Sequence, residues 1–527
     1  MTTQTPAHAD PKVTTLQNYV GGRWVAVAGG RTLDVVNPAT QAVLARVPLS
    51  GVEDLEHAVG AARAAFPSWR ARSTIERARW LFSLREALMG EREELARLVV
   101  SEMGKTLADA RAEVGRMIEM VECATAVPTT MQGRVLENVA AGVDCETVRQ
   151  PVGVCAAIVP FNFPAMVPFW FLPFAIATGN TFVLKPSEQV PLTQNRVFEL
   201  IDRLELPAGV VNLVNGDREV AQAILESPGI DAVSFVGSAP VAAHVYATAA
   251  AHGKRVQALG GAKNHMVVMP DAVVDRAVEG IVSSAFGAAG QRCMAGSVVV
   301  TVGEAGERLI GPLIEVTRAL RVGDGLDPSV NVGPVISLQA RERIERAIEA
   351  AVAEGATLAV DGRGALRALK GMDAPSSPDV GAGGGTFRRD ALRGAFVGPT
   401  ILTGVTPEMG IVDQEVFGPV LVIIQAESLD EAIEIVNASR YGNGTSIFTE
   451  SGAAVRRYRH DVQAGMVGVN IGVAAPVAFF PFSGWKASFL GDVHAHGTDA
   501  IDFYTRKKTV TSRFFTEQAQ EKLFGEH

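Results

Sequence analysis

Cys293 is the residue of this sequence whose type and neighbours best suit a nucleophile. It follows the small residues Gly287-Ala288-Ala289-Gly290, and small residues allow a ligand to approach the backbone closely. The adjacent Arg292 is expected to favour the thiolate form of the Cys293 side chain. The local pattern is equally compatible with an inert buried thiol, the state expected of the other cysteines, Cys123, Cys145 and Cys155.

Asn162 is a candidate donor to a developing negative charge. It lies in Pro160-Phe161-Asn162-Phe163-Pro164, directly after an apolar run at 154–159. Loops at the carboxyl ends of parallel strands are where α/β sheets bind ligands, and an amide N–H there could stabilise an oxyanion. Taken alone, the residue is more typical of a turn-forming Asn than of a catalytic donor.

Two further segments follow predicted strands and could bind a nucleotide. Lys185-Pro186-Ser187-Glu188 carries a cation and a carboxylate three residues apart, and a carboxylate on both ribose hydroxyls favours NAD over its 2′-phosphorylated form. Gly237-Ser238 begins a predicted helix whose N-terminus could bind a pyrophosphate. The sequence has no GxGxxG fingerprint at this place, so a surface turn and an ordinary capped helix are the alternatives.

Strands and helices that would position these segments alternate along the chain. Buried strands are predicted at 154–159, 181–184, 210–213 and 232–236, with helices between them at 194–204 and 220–225. This alternation predicts a parallel, doubly wound sheet. The pattern restarts after a helix at 273–286, which indicates a second α/β unit with a strand at 297–302 and a helix at 338–354.

Composition limits the class of protein. The chain has 527 residues, 48 Lys and Arg against 57 Asp and Glu, and a net charge of −9, which is unlike a dedicated nucleic-acid binder. Four scattered cysteines form no metal-binding pattern and suit a reducing compartment. The first 12 residues lack the apolar core of a secretory signal, and prolines interrupt the apolar stretch 152–184. We therefore expect a soluble, cytoplasmic protein with no bound metal and no membrane or nucleic-acid partner.

The order of these motifs is more specific than any one of them. PFNFP, KPSE, FVGS, a Gly-Gly turn near 260, GQRC, Glu415-Val416-Phe417-Gly418-Pro419 and Asn470 together resemble the aldehyde dehydrogenase superfamily over about residues 19–513. The resemblance implies that Cys293 is the catalytic thiol, and that Asn162 and the Cys293 backbone N–H form the oxyanion hole. It also implies a set of NAD-binding residues: Phe161, Lys185, Glu188, Gly237, Ser238, Glu415 and Phe417.

The same resemblance implies a fold of two doubly wound parallel-sheet domains and a β flap that bridges subunits. The expected NAD-binding domain comprises 15–137, 153–263 and 476–500, and the expected catalytic domain comprises 264–475. Bridging strands are expected at 138–152 and 501–513, in a homotetramer built as a dimer of dimers. The Gly-rich stretch 365–394 is expected to be a flexible surface insertion.

One departure from the family bears on the reaction. Hydrolytic members have the motif Glu-Leu-Gly-Gly-Lys, whereas this chain reads Gln257-Ala258-Leu259-Gly260-Gly261-Ala262-Lys263, which places Ala258 where the Glu would be. That Glu is the general base that activates water, and general base catalysis typically contributes about 10²–10⁴-fold. Coenzyme A (CoA) needs less help, because a thiol is partly ionised near neutral pH. The alternative is a slow hydrolase in which Gln257 or another Glu substitutes.

Longer motifs narrow the resemblance. GAKNH, GQRCMA, FFPFSGWK and DFYTRKK resemble the methylmalonate-semialdehyde dehydrogenase branch, which oxidises malonate and methylmalonate semialdehydes with NAD and CoA and releases carbon dioxide. Arg116 and Arg292 would then bind the substrate carboxylate, as bidentate guanidinium groups do. The preferred semialdehyde and the pathway (valine, β-alanine or inositol breakdown) stay open. A hydrolytic semialdehyde dehydrogenase and a non-catalytic binding protein on the same fold are the competing interpretations.

Overall fold

The structure is a computed structural model that describes residues 13–27, 30–363, 379–381, 386–388 and 393–514. Its strands, numbered β1 to β25 in chain order, are Asn18–Val20, Arg23–Val25, Thr32–Val36, Val43–Pro48, Val135–Ala140, Val143–Pro151, Val154–Ile158, Thr181–Lys185, Val211–Leu213, Ala232–Val236, Arg255–Leu259, Asn264–Val268, Gly296–Val302, Arg321–Val322, Thr357–Val360, Asp379–Gly381, Thr386–Arg388, Thr400–Thr403, Val420–Ala426, Tyr441–Gly442, Gly444–Phe448, Met466–Val469, Trp485–Lys486, Phe489–Leu490 and Thr505–Arg513.

The helices separate these strands and cover the faces of the sheets. The α-helices span Val52–Ala71, Thr74–Gly90, Arg92–Met103, Leu107–Ala124, Val127–Thr130, Met166–Phe169, Leu172–Ala177, Leu192–Asp202, Arg218–Glu226, Ala239–Ala251, Val274–Phe286, Ala305–Ala319, Leu338–Ala353, Gly410–Asp413, Leu429–Ala438, Gly452–Asp461 and Gly497–Tyr504, and a 3₁₀ turn spans Gly287–Gly290. In the described part of the chain no helix has both the length and the apolar character needed to cross a membrane.

The first large sheet has the strand order β2-β1-β9-β8-β7-β10-β11-β24. Strands β7 to β11 run parallel, and their residues are almost all buried, as expected of a sheet covered by helices on both faces. The chain builds outward from β7 in one direction through β8 and β9, and then returns to place β10 on the other side. This reversal creates the crevice between β7 and β10 where such sheets bind ligands.

The second large sheet has the order β15-β18-β19-β13-β12-β21-β22 and is parallel except at β15. It reverses in the same way between β12 and β21, and a separate apolar cluster fills its faces. Only four residues join β11 of the first sheet to β12 of the second. The carboxyl edge of the first sheet therefore faces the amino edge of the second. The predicted doubly wound architecture is confirmed.

A third sheet pairs β25 with β6 and β6 with β5, all antiparallel. The expected bridging strand at 501–513 is wrong for its first four residues, which end the helix Gly497–Tyr504 because Ile501, Phe503 and Tyr504 are buried in the core of the first sheet. The other expected strand begins earlier than 138, at Val135. The domain boundaries themselves stay a prediction.

The Gly-rich stretch 365–394 lies mostly outside the described residues. Two short strands within it, β16 and β17, pair with each other and extend β14.

Candidate active site

Cys293 lies between the two large sheets, just before β13 begins. Its backbone carbonyl accepts hydrogen bonds from the side-chain amides of Asn264 and Asn443, each at 2.9 Å. Asn264 begins β12 and Asn443 directly precedes β21. The amino ends of two neighbouring parallel strands therefore hold the main chain of the predicted nucleophile.

The turn before Cys293 is strained. Ala288 and Ala289 have φ values of 50° and 53°, in the left-handed region that only a few per cent of non-glycine residues adopt. Gly290 also has a positive φ, and a Cβ atom there would lie 2.1 Å from the carbonyl oxygen of Gly418. Backbone strain of this kind clusters at functional sites. Because Gly290 lacks a side chain, the turn packs directly on the segment that contains Glu415 and Phe417.

The environment of the Cys293 thiol opposes its ionisation. Burial, with a smaller contribution from the nearby Glu415 carboxylate, raises the pKa of Cys293 to about 12. Arg292 lowers the pKa of the thiol, as expected, but burial outweighs it. The position of Arg292 beside the thiol is therefore not sufficient to bring the pKa of Cys293 below its usual value.

Asn162 is buried close to the cysteine segment. Its Nδ2 atom donates a hydrogen bond of 3.0 Å to the carbonyl of Gln291, two residues before Cys293. A primary amide has two N–H donors, so this bond orients the side chain and leaves the second N–H for a ligand. The structure thus brings the two predicted oxyanion-hole residues together.

Both predicted arginines line one cavity together with Cys293, and both are already paired. The cavity has a volume of about 250 Å³. Arg292 donates to Asp109 at 2.6 Å. Arg116 donates to Glu119 at 2.7 Å and to the carbonyl of Pro476 at 2.6 Å. A substrate carboxylate would therefore compete with these acceptors or share the guanidinium groups with them.

Three aromatic rings line one side of the same cavity, and none of them was predicted to belong to the site. The Trp170 ring lies 4.6 Å from that of Phe482 and 5.4 Å from that of His496, between ring centroids. His496 has a φ of 44° and donates from Nδ1 to the carbonyl of Phe480 at 2.8 Å, in its neutral tautomer. A lone Trp or His in a sequence gives no signal of such a role, because the three rings come from distant segments.

The predicted cofactor-binding residues come from the facing edges of the two large sheets. Lys185 is the last residue of β8 and forms an ion pair of 2.9 Å with Glu188. Gly237 and Ser238 follow β10, and Ser238 stands at the N-cap of Ala239–Ala251, where its side chain makes no capping hydrogen bond.

The other three predicted cofactor-binding residues are Phe161, which follows β7 of the first sheet, and Glu415 and Phe417, which precede β19 of the second. The rings of Phe161 and Phe417 make an edge-to-face contact at 5.8 Å. Glu415 accepts a hydrogen bond of 2.9 Å from the Ala262 N–H. A Cβ atom at Gly261 would lie 2.4 Å from the same carboxylate, so this glycine is needed for the approach of Glu415.

Ala258, which the motif places where the family has its Glu, and the adjacent Leu259 lie on opposite faces of β11. Ala258 packs in an apolar cluster with Val233 and Phe235, on the opposite face of the first sheet from the cluster that Cys293 contacts. Side chains alternate between the faces of a strand, and Leu259 belongs to the Cys293 side. Leu259 therefore shares the face of the sheet against which Cys293 packs, and neither Leu259 nor Ala258 can accept a proton. Gln257 donates to Ser234 at 2.8 Å in the buried core beside Tyr504.

The buried His496 makes stability depend on pH. Burial, with a smaller contribution from Arg116, lowers the pKa of His496 to about 4 in the folded protein, whereas an unfolded chain has the usual value near 6.5. Because the unfolded state binds the proton more tightly, stability is greatest above pH 6.5 and falls as the pH drops towards 4. From these values we expect a loss of about 2 kcal/mol between pH 7 and pH 5.

The variant His496→Asn tests this expectation. Asn tolerates positive φ and can donate to the Phe480 carbonyl, so it should flatten the decrease in thermal stability between pH 7 and pH 5. The exposed His57→Asn is the matched control and should leave the decrease unchanged. Equal acid sensitivity of His496→Asn and the unaltered protein would contradict the assignment.

Comparison with known proteins adds to this geometry. The aldehyde dehydrogenase family model matches residues 24–380 and 377–510. Malonate-semialdehyde dehydrogenase 2 of Geobacillus kaustophilus (strain HTA426) is 50% identical over 502 residues, which cover 95% of this chain and 99% of that protein. A protein of the same name from Geobacillus thermodenitrificans (strain NG80-2) is 52% identical over 499 residues, again covering 95% and 99%.

Solved structures agree in fold. The crystal structure of methylmalonate-semialdehyde dehydrogenase from Oceanimonas doudoroffii has a TM-score of 0.90 and 42% identity, and the match covers 97% of this chain and 100% of that one. The NAD complex of a candidate methylmalonate-semialdehyde dehydrogenase from Sinorhizobium meliloti 1021 has a TM-score of 0.90 and 41% identity, with coverage of 96% and 99%. Since the family match spans nearly the whole length, the chain belongs to the aldehyde dehydrogenase family.

Proposed function

We propose that this protein oxidises malonate semialdehyde or methylmalonate semialdehyde with NAD, through a thioester on Cys293, and transfers the decarboxylated acyl group to CoA. The observation that carries the proposal is the cavity that joins Cys293 to Arg116 and Arg292. A thiol beside two guanidinium groups suits an aldehyde that also carries a carboxylate. The relatives named for malonate and methylmalonate semialdehydes support the same substrate class.

In the proposed reaction Cys293 attacks the aldehyde carbon and Asn162 stabilises the alkoxide. The second N–H of the Asn162 amide and the backbone N–H of Cys293 donate to the developing oxyanion. Arg116 and Arg292 hold the substrate carboxylate away from the sulfur until the thioester has formed. Loss of that carboxylate as carbon dioxide leaves its electron pair on the thioester as an enolate, and uptake of one proton from water gives acetyl or propionyl bound to Cys293.

The residues at the facing edges suit NAD. The first-turn amides of the 13-residue helix Ala239–Ala251 are not capped by Ser238, so they are available to a diphosphate. Lys185 and Glu188 would bind the adenosine ribose, Glu415 the second ribose, and Phe161 and Phe417 would flank the ring. NAD, when bound, supplies the acceptor for the hydride that leaves the substrate carbon.

The proposed acyl acceptor is CoA because no carboxylate stands where the hydrolytic enzymes have their base. Leu259 and Ala258 offer only apolar atoms there, and Gln257 is held in the core on the side of Tyr504. Without a general base, attack of water on the thioester should be about 10²–10⁴-fold slower. A thiol acceptor ionises near neutral pH and needs less help.

Steady-state NADH formation from a panel of semialdehydes, with and without CoA, tests the proposal. We expect turnover with malonate or methylmalonate semialdehyde to need CoA, and to fall to one NADH per active site without it because the thioester persists. Release of free acid at the same rate without CoA would favour the hydrolytic alternative. Binding of NAD without any NADH formation would favour the non-catalytic one.

The variant Leu259→Glu sharpens the choice of acceptor. A carboxylate on the Cys293 side of β11 should raise CoA-independent turnover, by at most the about 10²–10⁴-fold of a general base. Leu259→Gln is the matched control, because Gln has almost the same shape as Glu but no basic carboxylate. It should not raise CoA-independent turnover.

We also propose a homotetramer, a dimer of dimers, in the cytoplasm. The three-stranded sheet of β5, β6 and β25 supports the first part, because Val135, Leu136 and Val139 expose large apolar side chains on its edge strand, and such edges normally pair. Four free cysteines support a reducing compartment.

A further inference from the structure

Lys105 and Glu113 form a fully buried ion pair beside the catalytic cavity. Both side chains have 0% exposure, and Lys105 Nζ lies 2.6 Å from Glu113 Oε2. Lys105 follows Gly104, whose φ of 93° ends the helix Arg92–Met103. Removing two charges from water is costly, and a buried pair is weak support for stability on its own. The groups that the pair contacts therefore matter more than the pair itself.

Both members of the pair also bind the loop that carries Asn162. Lys105 Nζ donates to the backbone carbonyl of Asn162 at 2.8 Å and lies 3.9 Å from the centroid of the Phe163 ring. Glu113 Oε1 accepts hydrogen bonds from the backbone N–H groups of Ala165 and Met166, at 2.8 and 3.2 Å. The two charges thus hold the main chain directly at Asn162 and again three and four residues later.

The same helix is fixed to the cysteine segment. Asp109, one turn before Glu113 on Leu107–Ala124, accepts from Arg292 at 2.6 Å and from the Ala288 N–H at 3.1 Å. One rigid element therefore sets the loop of Asn162 and the turn of Cys293 relative to each other.

We propose that Lys105 and Glu113 are positioning residues that hold the Asn162 carboxamide in place for the oxyanion formed on Cys293. The inference rests on the proposed role of Asn162 in the oxyanion hole. The carbonyl that Lys105 holds belongs to Asn162 itself, so a shift there moves the amide that donates to Gln291 and to the ligand. Electrostatic stabilisation depends on donors already being in place, and misplacement of about 1 Å can cost about 10²-fold in rate.

A double-mutant cycle separates positioning from general stabilisation. Lys105→Met, Asn162→Ala and the combination are compared by kcat and KM for NADH formation, with an aldehyde that the unaltered protein oxidises. We expect Lys105→Met to lower kcat about 10- to 100-fold with KM changed less than about threefold. In the Asn162→Ala background, Lys105→Met should lower kcat by less than about threefold. The reason is that the effects of residues that act through one group are not additive. Equal losses in both backgrounds would overturn the proposal.

Three further variants keep the test decisive. Arg111 lies on the same helix as Glu113 and forms an exposed ion pair with Glu93 of the preceding helix. Arg111→Met breaks that pair and should leave kcat unchanged. If Lys105→Met does not fold, Lys105→Met/Glu113→Gln removes both charges and enters the cycle instead. If that also fails, Lys105→Arg enters, and additive losses overturn the proposal there as well. Because the cycle uses any aldehyde that is oxidised, a wrong semialdehyde or a wrong acyl acceptor would appear in the CoA experiment and leave the cycle readable.

Discussion

Replacing Cys293 with Ala should abolish NADH formation while leaving the fold and NAD binding intact. The thiol is the nucleophile in the proposed reaction, and a methyl group cannot form the hemithioacetal from which hydride departs. Loss of a nucleophile costs up to about 10⁶-fold in enzymes where it has been removed, so we expect a reduction of about 10⁴-fold or more. Stopped-flow absorbance of NADH, with saturating semialdehyde and CoA, measures both the first turnover and the steady state.

The matched control is Cys123→Ala. Cys123 is half-buried, and its Sγ contacts the carbonyl of Ala478 at 3.4 Å, on the segment that also forms one wall of the cavity. Burial raises the pKa of Cys123 to about 11, so it resembles Cys293 in environment but not in its neighbours. The control should retain nearly full activity. Retained turnover in Cys293→Ala, or equal loss in both variants, would contradict the assignment.

Burial of the Cys293 thiol decides its pKa. Arg292 lowers this pKa, but burial and the Glu415 carboxylate raise it to about 12, and Arg292 is also paired with Asp109. The sequence placed Arg292 next to Cys293 but gave no sign of Asp109, which is 183 residues away. The direction of the Arg292 effect could therefore be predicted from the sequence, whereas the burial that outweighs it could not.

The proximity of several motifs could be predicted from the sequence, because the topology of a parallel sheet brings them to the same edge. The carboxyl ends of β7, β8 and β10 must lie at one edge of a parallel sheet, so the segments at Asn162, Lys185 and Ser238 had to come together. The predicted alternation of strands and helices was sufficient for this step. The extents of most predicted strands and helices also agree with the structure to within about two residues.

Orientation within an element was harder to predict. Ala258 and Leu259 are adjacent on β11, and a shift of one residue moves a side chain to the other face of a sheet. The inserted Ala262 before Lys263 leaves the register of the motif ambiguous in the sequence. Burial shows that the two residues lie on opposite faces of the first sheet, with Leu259 on the side against which Cys293 packs.

Side chains that hold the site from a distance gave almost no sequence signal. Glu113 lies on the helix Leu107–Ala124 and Lys105 in the short connection before it, and charged residues of either kind are almost always solvated. Their burial becomes apparent only when the loop of Asn162 is brought against them. His496 is a similar case, because its strained backbone and its contact with Trp170 depend on segments more than 300 residues apart.

Replacing Asn162 with Ala should lower kcat by about 10²–10³-fold, the value typical of one oxyanion-hole donor, with a small change in KM. The amide is buried and is held by Gln291 on one side and, through its own backbone, by Lys105 on the other. It therefore cannot be replaced by water without rearrangement of the loop. Because the donor acts on the alkoxide and not on the bound aldehyde, the loss should fall on the first turnover.

The variant Asn162→Asp distinguishes electrostatics from packing. Aspartate has almost the same shape as asparagine, but its ionised carboxylate has no donor and would repel both the oxyanion and the Gln291 carbonyl. If the amide acts as a donor, Asn162→Asp should be at least as impaired as Asn162→Ala in pre-steady-state NADH formation. If the side chain only fills space, Asn162→Asp should retain most of the activity that Asn162→Ala loses, and the oxyanion hole would then have to be assigned to the Cys293 backbone N–H alone.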